Sequence, residues 1–163
     1  IHNSRRRTWM SFVFIGLGAN LTPAGYRNPR EGCEAALVAL REEGVFLEQI
    51  SNWYETAPVP ISDQPWYLNA VALATTSGDA AMTLAALHRI ELRFGRVRGI
   101  RNEARVLDLD LLDFDSQRNQ SPSLMLPHPR MHQRAFVLLP LRELSPKWRH
   151  PVSGISIDDL ISQ

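Results

Sequence analysis

The stretch Arg105-Val106-Leu107-Asp108-Leu109-Asp110-Leu111-Leu112 alternates apolar and acidic residues, which predicts a β-strand. Successive side chains of a strand point to opposite faces, so the leucines would face the core and Asp108 and Asp110 would share the other face. Two carboxylates at positions i and i+2 lie about 6.6–6.8 Å apart along a strand. Mg²⁺ prefers such oxygen ligands, and a pair at this spacing can hold one or two ions. Taken alone, the pattern is more often that of a half-buried strand whose edge faces solvent.

The segment that leads into this strand is rich in arginine. Residues 96–105 contain four arginines, at positions 96, 98, 101 and 105. Most basic loops are simply solvated. Beside a candidate Mg²⁺ site, however, such a loop can hold a polyphosphate, because guanidinium groups pair with phosphate oxygens.

Hydrophobic patterning and turn signals predict the element order β-α-β-β-α-β, followed by a C-terminal helical extension. This order predicts an α+β protein with a ferredoxin-like antiparallel sheet and two helices on one face. The strands are expected at residues 12–17, 45–55, 67–76 and 105–112, the helices between the cap Asn28 and Gly44 and from 77–79 to 94, and the C-terminal helix from Ser156.

Two features of these elements point to a site. The proline-rich segment Thr56–Pro65 cannot continue a sheet, and an irregular loop of this length is more often functional than a simple connector. Glu91 falls on the apolar stripe of the second helix, where a buried carboxylate needs a partner. A nearby arginine and a functional group are both candidates for that partner.

Composition is that of an ordinary globular protein of one domain, with 163 residues, 44% hydrophobic and 21% charged. We expect a flexible tail over residues 1–11 and one domain over residues 12–163. The net charge of +1 gives no reason to expect a nucleic-acid or membrane partner, and a monomer is expected. The single cysteine, Cys33, fits a reducing cytoplasm, and no apolar run approaches the roughly 20 residues of a membrane span.

Several segments, in order along the chain, resemble the 6-hydroxymethyl-7,8-dihydropterin pyrophosphokinase family of folate biosynthesis. The most specific are the Arg-x-x-Asp-Leu-Asp strand at Arg105–Asp110 and the Pro-His motif at Pro127–His128. The resemblance covers roughly Phe12 to Leu144. Its other segments are Phe14–Leu21, Tyr54–Pro58, Asp63–Asn69, Arg89–Leu92, Gly95–Arg98 and Arg134–Phe136.

This resemblance implies a cytoplasmic transferase that moves the β,γ-pyrophosphoryl group of ATP to the hydroxymethyl oxygen of the pterin and releases AMP. It implies two Mg²⁺ ions held by Asp108 and Asp110, with Arg96 and Arg105 also catalytic. The implied ATP-binding residues are His88, Glu91, Arg96, Arg98, Arg105, His128 and Arg134. The implied pterin-binding residues are Thr56, Val59, Tyr67, Asn69 and Phe136, of which Tyr67 and Phe136 would sandwich the ring.

Two other functions use the same features. A two-metal nucleotidyl transferase or nuclease would also need paired aspartates. A module for single-stranded nucleic acid can use a ferredoxin-like sheet, but it needs exposed aromatic residues on the central strands and a basic face. Aspartates on such a strand would repel phosphate unless a metal ion intervenes.

Overall fold

The main sheet of the protein is antiparallel and has five strands. A computed structural model describes residues 9–58, 60–96 and 104–163. The strands of this sheet pair in the order β2-β4-β1-β5, and the short strand β3 pairs with the first residues of β4. The α+β class and the antiparallel sheet predicted from the sequence are confirmed. The strands are β1 (Ser11–Ala19), β2 (Val45–Ile50), β3 (Tyr54–Thr56), β4 (Tyr67–Thr76) and β5 (Asp108–Phe114).

Among the described residues four α-helices pack in the cores on the two sides of this sheet, and side chains cap three of them, including Asn28 as the sequence predicts. Asn28 accepts a hydrogen bond from the backbone N–H of Glu31 at 2.8 Å, and Asp79 accepts one from Met82 at 2.8 Å. Ser156 caps the last helix in the same way. The helices are α1 (Pro29–Glu42), α2 (Ala80–Arg93), α3 (Ala135–Leu144) and α4 (Ile157–Ser162).

The sheet separates two hydrophobic cores. On one face, α1 and α2 pack against alternate residues of β1, such as Val13, Ile15 and Leu17. On the other face, α3, α4 and Trp148 cover residues that include Val71 of β4 and Leu112 of β5. Both faces of the central strands are therefore buried, and the ends of these strands and their loops are left to form a site.

Three details of the predicted elements are wrong. The strand expected over residues 45–55 is two strands, β2 and β3, separated by residues 51–53; Ser51 still donates its N–H to the Val71 carbonyl of β4 at 3.0 Å. There the Ser51 hydroxyl accepts the N–H of Val71 at 3.0 Å, so a side chain closes the gap in the ladder. The structure also has a small hairpin after Asp115 that the sequence did not predict, and β5 begins at Asp108, three residues later than expected. The hairpin strands are β6 (Asn119–Ser121) and β7 (Leu124–Leu126).

The predicted N-terminal tail falls mostly on residues 1–8, which lie outside the described residues; Trp9 and Met10 precede β1 and are exposed. Within the described ranges, every helix is too short or too polar to cross a bilayer.

Candidate active site

Strand β5 carries its leucines and its aspartates on opposite faces, as the alternation predicts. Leu107, Leu109 and Leu111 are 0%, 3% and 5% exposed, and they belong to the core beneath α1 and α2. Asp108 and Asp110 are partly exposed and line a cavity of about 450 Å³. The two acids therefore line a concave cavity that is open to solvent, and they do not lie on a flat strand edge.

Both oxygens of the Asp108 carboxylate are held by arginines. Arg96 Nη1 lies 2.6 Å from Oδ1, and Arg105 Nη1 lies 2.7 Å from Oδ2. Arg105 precedes the first residue of β5, so the loop turns its side chain back toward the aspartate against the strand alternation. The two arginines and Asp108 thus form one charge-assisted network at the start of the strand.

Glu91 joins this network from helix α2. Its residue is only 1% exposed, and its Oε2 accepts the backbone N–H of Leu109 at 3.1 Å and forms an ion pair with Arg96. The predicted partner of this buried carboxylate is therefore an arginine of the site. The arrangement ties the C-terminal part of α2 to the backbone between the two aspartates.

Asp110 lies deeper beside the same cavity. Burial and, next, the charge of Asp108 raise the pKa of Asp110 to about 7, although Arg134, Arg96 and Arg105 act in the opposite direction. A carboxyl that is reluctant to ionise beside another carboxylate is a place where a cation would be stabilised.

The donor set near these aspartates fits Mg²⁺ better than zinc. In the part of the chain that the structure describes, no group of three or more His, Cys, Asp or Glu side chains is close enough to hold a metal ion. Zinc sites use three or four such ligands, whereas Mg²⁺ is commonly held by one or two carboxylates, substrate phosphates and water. The two aspartates beside an open cavity match the second pattern.

The rest of the cavity brings together side chains that are far apart in the sequence. His88, His128, Arg130 and Arg134 line it together with Arg96, Arg105 and the aspartates. Burial and the charge of Arg134 lower the pKa of His128 to about 4, so this imidazole is neutral near pH 7. Its Nδ1 accepts the N–H of Arg130 at 3.2 Å, which leaves the proton of the neutral ring on Nε2. His128 can therefore donate a hydrogen bond from Nε2.

The residues implied in pterin binding lie on β3, β4 and α3. The Asn69 amide donates to the Thr56 hydroxyl at 2.7 Å across the β3–β4 pair. Tyr67 begins β4, and its hydroxyl lies 3.5 Å from the Gln64 amide oxygen. Phe136 lies in the first turn of α3, which packs on β4, and the guanidinium of Arg134 is 5.6 Å from the centre of the Phe136 ring. Val59 and Arg98, the remaining predicted site residues, lie outside the described residues.

Asn20 is a residue whose role the sequence did not reveal. It is 2% exposed, and its amide donates to the carbonyl of Pro65 at 3.0 Å and accepts the N–H of Arg105 at 2.8 Å. The proline-rich loop and the arginine-bearing segment are thus joined through one side chain. The Gly-Leu-Gly-Ala-Asn-Leu motif indicates that Asn20 belongs to the site. Its hydrogen-bond partners lie more than 40 residues away, so local sequence patterns could not predict them.

Gly18 of the same motif separates the two halves of the site. It pairs with Asp108 on one side and with Asn69 on the other. A Cβ at this position would lie 3.1 Å from the Asn69 amide oxygen, which is too close for an unchanged side chain. Because residue 18 is a glycine, the Asn69 side chain can lie close to β1 at the residue that pairs with Asp108.

The chain matches one family model over residues 14–146, that of 7,8-dihydro-6-hydroxymethylpterin-pyrophosphokinase (HPPK). The chain belongs to this family. The resemblance predicted from the sequence is confirmed, and so is the class of enzyme.

Curated relatives support the same assignment. A 2-amino-4-hydroxy-6-hydroxymethyldihydropteridine pyrophosphokinase of Pseudomonas aeruginosa is 42% identical over 151 residues, which are 92% of this chain and 90% of that protein. A protein of the same name from Synechocystis sp. is 37% identical over 91% of this chain and 74% of its own length. The Haemophilus influenzae protein of this name is 38% identical over 94% and 93%, respectively.

Solved structures confirm the fold of the family. The wild-type HPPK-DHPS of Plasmodium falciparum aligns with a TM-score of 0.72 at 15% identity. The alignment covers 94% of this chain, which spans only 41% of that longer protein.

Proposed function

We propose that this protein transfers the pyrophosphoryl group of ATP to the hydroxymethyl oxygen of 6-hydroxymethyl-7,8-dihydropterin, releasing AMP, in folate biosynthesis. Family membership gives the reaction. The observation that carries the assignment to particular residues is the pair Asp108 and Asp110, which face one cavity together with arginines and His128. Two carboxylates surrounded by basic side chains suit the binding of a polyphosphate in complex with divalent cations.

The nucleotide end of the proposed site is the cavity itself. Asp108 and Asp110 would hold two Mg²⁺ ions, and Arg96, Arg105 and Arg134 would contact the phosphates. His128, which is neutral, would donate a hydrogen bond from Nε2 without adding charge. We also assign His88, Glu91 and Arg98 to the ATP side of the site, with a more specific role for Glu91 argued below.

The pterin end of the proposed site is formed by the edge of β3–β4 and by α3. Thr56, Val59 and Asn69 would contact the polar rim of the pterin, and Tyr67 and Phe136 would stack on its two faces. Asn69 and Asp108 pair with the same residue, Gly18, from its two sides, and this placement would bring the pterin close to the phosphates.

In this arrangement, positioning and electrostatics supply most of the catalysis. Bound at the aspartates, Mg²⁺ would neutralise charge on the transferring group and lower the pKa of the attacking hydroxyl. The arginines would hold the triphosphate so that its β-phosphorus faces the hydroxymethyl oxygen, and AMP would leave on the opposite side. His128, whose pKa is about 4, is a poor proton acceptor, so the proposed mechanism does not use it as a general base.

We extend the proposal to the whole domain. The strand order β2-β4-β1-β5, with one helix after β1 and one after β4, supports a ferredoxin-like arrangement. Residues 12–163 would form one domain, since α4 packs in the same core as β4 and β5.

A cytoplasmic, monomeric enzyme without nucleic-acid or membrane partners remains our expectation. The two alternative functions are not favoured, because the named relatives are pyrophosphokinases.

Replacing Asp108 tests the metal assignment. Asp108→Ala removes a proposed metal ligand, so pterin-dependent AMP release should fall by at least about 10³-fold, while the circular dichroism spectrum stays native. Asp158→Ala, which removes an exposed aspartate of α4, serves as the control and should keep full activity. Near-normal AMP release by Asp108→Ala would show that this carboxylate holds no essential metal.

A further inference from the structure

The Asp108 carboxylate has partners that compete for the same oxygens. In the structure its Oδ1 is bound by Arg96 and its Oδ2 by Arg105. In the proposed function the same oxygens bind a divalent cation. A guanidinium on one of these oxygens weakens the binding of the cation, because the two positive charges repel each other at close range. Moving a guanidinium away from Asp108 therefore favours the cation.

The two arginines differ in how readily they can leave. The Arg105 side chain is 30% exposed, so water or a phosphate can replace Asp108 as its partner. The Arg96 side chain is only 12% exposed. A buried guanidinium that loses its carboxylate is strongly destabilised unless a second partner remains.

Glu91 provides that second partner. The same Nη1 of Arg96 that contacts Asp108 also forms an ion pair with Glu91 Oε2. Glu91 is fixed independently of Arg96, because it accepts the N–H of Leu109 and is buried on α2. Its carboxylate therefore stays in place whether or not Arg96 contacts Asp108.

We infer that Glu91 is a positioning residue that retains Arg96 when Asp108 releases it to bind a divalent cation. This inference rests on the proposed function of Asp108. It gives the two residues opposite effects on cation affinity. Arg96 competes with the cation for Asp108, whereas Glu91 weakens that competition by drawing Arg96 to itself.

The test is a double-mutant cycle that measures Mn²⁺ binding to the nucleotide-free protein by electron paramagnetic resonance. Glu91→Gln keeps the shape and an acceptor for Leu109 but loses the charge, so Arg96 should hold Asp108 more firmly and Mn²⁺ should bind about tenfold more weakly. Arg96→Gln removes the competitor, so Mn²⁺ should bind about tenfold more tightly. In the double variant, Glu91→Gln should have no further effect.

Matched controls separate this role from a general loss of charge or fold. Glu43→Gln removes a carboxylate at the end of α1 that is paired with Arg89, a residue of the helix α2 that also carries Glu91. This variant should leave Mn²⁺ binding unchanged. Thermal unfolding of each variant reports whether the fold is intact, and Glu91→Gln should unfold near the wild-type temperature. A purely structural Glu91 would instead change the unfolding temperature without changing Mn²⁺ affinity.

The outcomes distinguish this inference from the proposed function. If Asp108→Asn binds Mn²⁺ as well as the wild type, the metal assignment fails and the inference fails with it. If the nucleotide-free wild type binds no Mn²⁺, the inferred competition at Asp108 does not exist and the inference alone is overturned, because in the proposed function the substrate phosphates supply further ligands. If Asp108→Asn loses binding but Glu91→Gln matches the wild type, only the inference is overturned. A weakening by Glu91→Gln that persists in the Arg96→Gln background would also overturn it, because Glu91 would then act on the cation directly.

Discussion

Burial and neighbouring charges of both signs determine the pKa of Asp110. Burial and Asp108 raise its pKa to about 7, while three arginines act to lower it. The folded protein therefore keeps a proton on Asp110 between about pH 4 and pH 7, where the unfolded chain has lost it. Its contribution to stability is fully present at low pH and is lost as the pH rises toward 7.

This pH dependence of the contribution of Asp110 to stability leads to a prediction for the metal-free protein. Asp110→Asn removes the cost of the buried charge, so it should stabilise the fold at pH 8 by about 1–4 kcal/mol and much less at pH 4. Urea unfolding at the two pH values, with excess chelator, measures the difference. Asp63→Asn, at an exposed position in the proline-rich loop, should show no such pH-dependent gain. Equal stability of Asp110→Asn and the wild type at pH 8 would contradict the raised pKa.

At the residue scale, the sequence predicted what depends on local periodicity. The alternation along residues 105–112 placed Asp108 and Asp110 on one face, although the regular strand begins only at Asp108, after Arg105. The sequence did not predict that Arg96 would bridge Glu91 and Asp108. That contact depends on where the end of α2 meets β5, which is a matter of tertiary packing.

At the scale of elements, Asn20 links segments that local patterns treat as separate. It joins the loop after β1 to Pro65, which precedes β4, and to Arg105, which precedes β5. The backbone N–H groups of Asn20 and Leu21 also donate to the Arg105 carbonyl at 3.0 Å. The position of Arg105 beside Asp108 thus depends on a loop almost 90 residues earlier in the chain.

Removing this link should affect both stability and the pterin site. Asn20→Ala leaves the Arg105 N–H and the Pro65 carbonyl without their partner, so the free energy of unfolding should fall by about 1–3 kcal/mol and the KM for the pterin should rise. Chemical denaturation and steady-state kinetics measure the two effects. Asn52→Ala, an exposed position, is the matched control and should change neither quantity. A variant of Asn20 with wild-type stability and pterin KM would show that the link is dispensable.

The short elements were the hardest to predict. Long, periodic elements such as α1, α2 and β4 begin and end close to where caps, glycines and alternation indicate. The hairpin β6–β7 has three residues per strand, which is too few for a periodic signal, yet its Leu124 and Met125 line the cavity. One wall of the proposed nucleotide site was therefore not predicted from the sequence.

The C-terminal extension contributes to the core and should contribute to stability. Leu160 of α4 is 4% exposed and packs in the core that includes Leu112 of β5. Leu160→Ala should therefore lower the free energy of unfolding by about 2–4 kcal/mol in a single cooperative transition. Val152→Ala, at a position that is 54% exposed, should cost little. Separate transitions for the extension and the sheet would contradict a single domain over residues 12–163.

At the scale of the whole molecule, one sheet brings the two halves of the proposed site together. Strand β5 carries the acidic pair, β4 carries Asn69 and Tyr67, and β1 lies between them with a glycine where they approach. The order of strands therefore explains how residues about 40 positions apart could hold the two substrates of one transfer reaction side by side. Sequence patterns predicted the strands, and family resemblance was needed to predict what they bring together.

The most direct test of this account is to identify the products by ³¹P nuclear magnetic resonance. The purified protein would be incubated with ATP, Mg²⁺ and 6-hydroxymethyl-7,8-dihydropterin, with parallel samples that lack the pterin or contain RNA in its place. We predict equal amounts of AMP and a pterin diphosphate, formed only when the pterin is present. ADP with a pterin monophosphate, or AMP release that depends on RNA and not on the pterin, would contradict the proposed function.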